Sequence, residues 1–353
     1  MKSNFHSNSR LLTRSGFTII ELLVAIGITA LLVSLMLTIV SNVLTGWNRS
    51  SGSLSSGNQA RTILSQISQD LQSLVVRQDG NVWLAATVLP NSFTTNGSNW
   101  SGTAKPVAAS GSFNFPSPGA TPPWPDLTTY RFGQSGMWVR FFTVRPDSNL
   151  GTDTISAPRA VSYQIVRNKV GTVGNTYTYQ FYRSEARPGP ITGGTNSTFN
   201  SGYNLFMAAG NPSYNTSDNS VAGNVGNILE PATSQLLANN VIDFGVRVWT
   251  ADPSSNKPKF PNSPSNTGFA VTTADGTNGT TALVSPVAGE PAVANMTYGF
   301  PVVVEVMVRI LTDDGAKQIA NLEAGNITGD WWTIALANSQ VYTRRIEIKS
   351  QAF

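Results

Sequence analysis

From Phe17 to Val40 the only charged residue is Glu21, and no further charge appears before Arg49. A helix rises ~1.5 Å per residue, so a run of this length exceeds the ~30 Å hydrocarbon core of a bilayer. Residues 17–46 therefore read as a membrane-spanning helix. Residues 48–60 are Ser/Gly-rich and poor in helix propensity, which makes them the likeliest place for a break and leaves helix continuity open there. Ile63, Leu64, Ile67, Leu71, Leu74 and Val75 then recur at spacings of one, three and four. That spacing predicts one face of an amphipathic helix reaching about Arg77, with Asp79-Gly80 as its stop. Residues 47–79 thus form a linker and an amphipathic helix.

Beyond residue 80 the period changes to two. Val161, Tyr163 and Ile165 alternate with Ser162 and Gln164, and Tyr177, Tyr179 and Phe181 with Thr178 and Gln180. A Gly-containing connection makes these two runs a hairpin. Ile242, Phe244, Val246 and Val248 alternate with Asp243, Gly245, Arg247 and Trp249. Val302, Val304, Val306, Val308 and Ile310 form another apolar face, with Glu305 and Arg309 on its reverse. Trp138 to Val144 is a further strand, and Ile346 and Ile348 mark a last one. Half-buried antiparallel sheet accounts for all of them. Long irregular stretches rich in Gly, Ser, Asn, Thr and Pro lie near 90–135, 185–225 and 251–299. The expected fold class is α+β: a long N-terminal helix packed on the antiparallel sheet of a β-rich head, residues 80–353, with long irregular loops.

Composition narrows the function. Charged residues make up only 12% of the chain, and cysteine is absent, which removes disulfides, thiol nucleophiles and cysteine–metal sites. The single histidine, His6, precedes everything that looks folded, so neither a His-dependent triad nor a His zinc site is open to the head. No enzyme, cofactor or metal is expected. Of the basic residues, Lys2, Arg10 and Arg14 precede the apolar run; the rest of the chain holds 20 basic against 19 acidic residues. Without a Lys/Arg stripe there is no nucleic-acid footprint. Three positive residues before the span, against Arg49 alone within the dozen residues after it, put the N-terminus in the cytoplasm and the head outside the cytoplasmic membrane. An ordinary secretory signal peptide is the bland alternative. Its apolar core is ~7–15 residues and ends at a small-residue cleavage site, and neither property fits here.

Gly16, Phe17 and Glu21, with the long apolar helix behind them, resemble the class III leader of type IV pilins and type II secretion pseudopilins. The resemblance implies that residues 1–16 are a leader, that a prepilin peptidase cuts between Gly16 and Phe17, and that Phe17 becomes N-methylated. It also implies that the Glu21 carboxylate pairs with the N-terminal amine of a neighbouring pilin-like subunit. Many major pilins carry a kinking proline where this chain has Thr38. The runs Leu236–Phe244 and Phe300–Val306, with the terminal Arg344-Arg345-Ile346, are similar to the J-type minor pseudopilins, which sit in a tip complex with other minor subunits. The large Asn/Thr/Gly-rich insertions depart from that pattern. The expected function is a minor pseudopilin assembled into a pseudopilus or its tip. The alternative is a minor pilin whose loop-rich head is an adhesin for polysaccharide or surfaces.

Other residues have blander readings. Trp47 sits where a membrane-interface anchor would. Trp124, Trp331 and Trp332 read as packing anchors before sugar platforms, and Asp313-Asp314-Gly315 and Asp275-Gly276 as turns before calcium ligands. Triplets such as Asn278-Gly279-Thr280 carry no information in so Asn-rich a chain. Asp243 and Glu305 read as solvated strand faces rather than a carboxylate pair.

Overall fold

The computed structural model describes residues 17–76, 82–88, 113–114, 124–133, 136–144, 159–169, 177–186, 233–250, 268–272, 296–298 and 301–349. The leader with Gly16, the stop at Asp79-Gly80, Asp275-Gly276 and Asn278-Gly279-Thr280 lie outside the described residues. The chain divides into two compact units, residues 1–51 and 52–353, each with its own contacts.

Helix α1 runs without interruption from Ile19 to Gln72. It continues through 48–60, the likeliest place for a break. In the second unit this Ser/Gly-rich stretch lies close to the last strand of the head, β12 (Ser339–Glu347). Ser56 Oγ lies 3.0 Å from the Tyr342 hydroxyl, Gln340 Nε2 donates to Ser53 Oγ at 2.9 Å, and a Cβ on Gly57 would stand 3.7 Å from that hydroxyl. Small side chains are what allow so close an approach. Each helical Gly costs ~0.5–1 kcal/mol relative to Ala, and packing outweighs it.

Further along α1, Ile63, Leu64, Ile67 and Leu71 are buried as the spacing predicts, each contributing ~1.5–3 kcal/mol, and Ala60 is buried with them. The helix ends earlier than expected. Leu74 and Val75 are buried as chain extended against strand β4 (Met137–Thr143). Val75 N donates to Phe142 O at 3.0 Å and Val144 N to Ser73 O at 3.0 Å.

The larger sheet has seven strands. To β4 it adds β1 (Val82–Val88), β5 (Arg159–Lys169), β6 (Tyr177–Ala186), β7 (Leu236–Asn239), β9 (Gly268–Thr272) and β10 (Met296–Tyr298). Their order is β10-β9-β1-β4-β5-β6-β7, antiparallel except for the β10–β9 pair. The expected hairpin is β5–β6, with Tyr163 opposite Arg183. Three strands, β8 (Val241–Thr250), β11 (Pro301–Leu311) and β12, form a second sheet in the order β12-β11-β8. A short pair, β2 (Phe113–Asn114) with β3 (Arg131–Phe132), completes the strands.

The chain changes sheets between β7 and β8 at Asn240, whose φ of 62° is left-handed, a conformation Asn tolerates better than most residues. Phe141, Tyr163 and Phe181 stack along the large sheet, and Phe244 of the small sheet meets Phe181 edge-on at 4.8 Å. That aromatic contact joins the two sheets in one core.

Two strand expectations need correction. Half-burial fails for β4, β5 and β8, whose described residues are almost all buried on both faces. The second face mixes apolar with polar side chains, some of which pair across strands, as where Ser162 meets Ser184 at 2.6 Å. Val302 is also not on the buried face of Val304, Val306 and Val308. The β8–β11 register shifts between Pro301 and Val303, so Val302 is the extra residue of a bulge and stays 45% exposed.

The head also contains two helices that periodicity did not suggest, α2 (Asp313–Glu323) and α3 (Trp331–Ala337). Thr312 and Asp330 cap them, accepting from the N–H groups of Gly315 and Thr333.

Candidate functional site

The N-terminal motif begins a helix. Thr18 Oγ1 accepts from Glu21 N at 3.2 Å, and Glu21 Oε2 accepts from Thr18 N at 3.0 Å. This reciprocal pair is a capping box, which occupies two of the unpaired N–H groups at a helix start. Its signature, Thr followed three residues later by Glu, is in the sequence and explains Glu21 locally. A hydrogen bond to a neutral N–H leaves the carboxylate charge uncompensated. Phe17, immediately before the cap, is 87% exposed.

Every residue described in full from Phe17 to Trp47 is exposed, and the helix is long and apolar enough to cross a membrane. Thr29, Thr38 and Thr45 turn their hydroxyls back onto the carbonyls of Ala25, Ser34 and Ser41, so these polar groups need no outside partner. Thr38 continues the helix where a proline would have kinked it. Trp47 is 72% exposed at the far end of the run.

The titratable groups of the head form structural ties. Asp70, fully buried on α1, accepts from Tyr163 Oη at 2.5 Å and from Arg183 Nε at 2.6 Å. Arg183 continues to Glu185 at 2.8 Å, and Glu185 to Arg159 at 2.9 Å. Burial and the adjacent Asp70 push the Tyr163 phenol well above its usual range, so it stays protonated and donates. Burial works to raise Glu185, but Arg183 and Arg159 outweigh it and hold the carboxyl below the ordinary value. Glu323, at the end of α2, accepts from Arg167, Tyr179 and Trp331 together and ties both small helices to the hairpin.

The small sheet corrects a sequence expectation. Asp243 and Glu305 are not solvated. Glu305 lies between Arg247 and Arg345 across the three strands, its side chain 12% exposed. Asp243 is fully buried opposite Arg309 and accepts from the Phe132 N–H at 3.2 Å. Burial pushes its carboxyl up to about 7, against the opposing pull of Arg309 and the nearby N–H groups. Phe132 can lie over β8 because residue 245 is glycine; a Cβ there would fall 2.0 Å from the ring.

Trp331 and Trp332 are packing anchors, 6% and 2% exposed, in edge-to-face contact at 5.0 Å. Trp124 is half-buried. Asp313 and Asp314 form the exposed first turn of α2, where acidic side chains favour the helix dipole, so the expected turn is a helix start. Among the described residues no group of three or more His, Asp or Glu side chains comes together as a metal site. A cavity of about 150 Å³ between β6 and α2, lined by Tyr177, Tyr179, Leu311 and Lys317, is smaller than the ~300–1,000 Å³ usual for small-molecule sites.

The Phe17–Glu21 helix start opens a helix long and apolar enough to cross a membrane. Compared with known protein families, characterised proteins and solved structures, the chain shows no significant match.

Proposed function

We propose that the chain is a pilin-like structural subunit, most similar to the J-type minor pseudopilins. A prepilin peptidase processes it between Gly16 and Phe17. Residues 17–46 anchor it in the cytoplasmic membrane with the head outside, and it assembles with other pilin-like subunits into a pseudopilus or its tip.

The observation that carries the reading is a single helix, Ile19–Gln72, opened by the Gly16-Phe17-Thr18-Ile19-Ile20-Glu21 motif. Its first half is exposed and mainly apolar, and its second half is built into an antiparallel β head. Physical chemistry supports the role of Glu21. Cleavage creates an ammonium at Phe17 in an apolar setting, where only an opposite charge makes two charges tolerable. The capping box leaves the Glu21 charge free to serve that amine on an adjacent subunit.

Mass spectrometry of the membrane-extracted protein tests the processing step. The expected N-terminus is N-methylated Phe17; an N-terminus beyond residue 40 would mean conventional signal-peptidase cleavage and end the proposal. Glu21→Gln should preserve insertion and cleavage but abolish crosslinks to partner subunits, because breaking a buried charge pair costs ~3–5 kcal/mol. Unchanged crosslinks would refute the role assigned to Glu21.

A further inference from the structure

Strand β12 is bound on one side by β11 and, among the described residues, by no strand on the other. The hydrogen bonds identify which backbone groups face outward. Ile348 N donates to Val302 O at 3.0 Å, and Thr312 N donates to Asn338 O at 2.9 Å. The even-numbered residues of β12 therefore turn their N–H and C=O groups toward β11. Antiparallel pairing alternates, so Val341, Thr343, Arg345 and Glu347 turn theirs away. None of the four has a backbone partner on that side among the described residues. At ~3.4 Å per residue they form an edge ~20 Å long that no described strand covers. Thr343, Arg344, Arg345 and Glu347 are exposed along it. An edge of this kind is a template for an added strand.

Basic residues on an edge often serve only as a guard against pairing. Here their placement also selects a partner. Arg344 and Arg345 point to opposite faces of the strand. Arg345 reaches Glu305 at 3.4 Å with its side chain still 63% exposed, and Arg344 has no ion-pair partner among the described residues. A second copy pairing antiparallel over all of 341–347 would set Arg344 directly against its own counterpart, which like-charge repulsion disfavours. The complementary strand must instead carry carboxylates on both faces. We propose that the outer edge of β12 takes up an extended segment of another protein, with adjacent Asp or Glu residues, as an additional strand. This surface belongs to the head alone and holds however the N-terminal helix is used.

The test uses the full chain in detergent micelles and a short synthetic peptide of Thr and Val around a central Glu-Glu pair. Its control carries Lys-Lys instead. Amide hydrogen exchange should slow at Val341, Thr343, Arg345 and Glu347 with the Glu-Glu peptide, stay unchanged at Tyr342 and Arg344, and not respond to the Lys-Lys peptide. Thr343→Pro removes one outward N–H at a position where an edge strand tolerates proline, so the protection should vanish while thermal unfolding of the head is unchanged. Arg344→Glu should weaken the Glu-Glu peptide about fivefold, one cross-strand charge pair at ~1 kcal/mol. No protection by the Glu-Glu peptide, equal protection by both peptides, or protection that survives Thr343→Pro would each overturn the proposal. So would a dimer formed through β12 without peptide, which would make a second copy the occupant.

Discussion

The two halves of α1 share a backbone conformation and almost nothing else. From Phe17 to Trp47 every side chain described is exposed and most are apolar. From Gly52 to Gln72 the helix is amphipathic, with Ile63, Ile67 and Leu71 buried, Asp70 engaged by Tyr163 and Arg183, and polar residues such as Arg61 and Gln72 turned outward. The first half has no protein partner among the described residues of its own unit and is suited to surroundings as apolar as itself. The second is held by specific contacts with a sheet. One regular element can thus carry two compositions, a mainly apolar exposed half and an amphipathic half fitted to a sheet.

The sharpest way to break this comparison is to substitute the same helix on either side of the division. Asp70→Ala leaves the buried Tyr163 hydroxyl without its acceptor and Arg183 with Glu185 as its remaining carboxylate, so the head should lose ~1–3 kcal/mol for each group left short of a partner in denaturant unfolding. Leu31→Ala, in the exposed half, should leave the unfolding of the head unchanged. Equal effects at the two positions would mean that the halves are not energetically separate.

A second, smaller effect concerns pH. Asp243 has its folded-state carboxyl pushed up to about 7 by burial, against an unfolded value of ~3.9. The folded head therefore binds more protons than the unfolded chain between these values. This contribution to stability is fully present below pH ~4 and is lost progressively as pH rises through 7, by several kcal/mol at most. Unfolding free energies of wild type and Asp243→Asn, compared from pH 4 to 8, should diverge by this slope. Parallel profiles would show that Asp243 does not titrate in that window.

The smallest effect sharpens the account of the Ser/Gly-rich stretch. A methyl group on Gly57 would meet the Tyr342 hydroxyl at an ordinary 3.7 Å. Gly57→Ala should therefore raise the stability of the head by ~0.5–1 kcal/mol through helix propensity. Destabilisation in thermal melts would mean that α1 and β12 have no room even for a methyl group.

Local and periodic signals were readable without coordinates. The apolar run, the buried stripe Ile63–Leu71, the β5–β6 hairpin and the strands β8, β11 and β12 all follow from hydrophobic spacing, which depends on near neighbours in the chain. Helix continuity was not readable. Propensity argued for a break at 48–60, and the contacts of Ser53, Ser56 and Gly57 with residues almost three hundred positions away decided otherwise. The capping signals Thr18-x-x-Glu21 and Thr312-Asp313-Asp314 were present but short, and easily lost beside stronger patterns.

By itself, then, the sequence determined an α+β chain with one helix able to span a membrane, and the Gly16, Phe17 and Glu21 motif at its start, because these depend on composition and on residues within a few positions of each other. Only the tertiary structure decided that Asp243 and Glu305 are buried among arginines, that Val302 is a bulge, and that β12 lies at an edge with no second strand partner among the described residues. An alternating strand reads the same whether its polar face meets water or a second layer. Which it meets is set by segments distant in the chain, and no local pattern records their arrival.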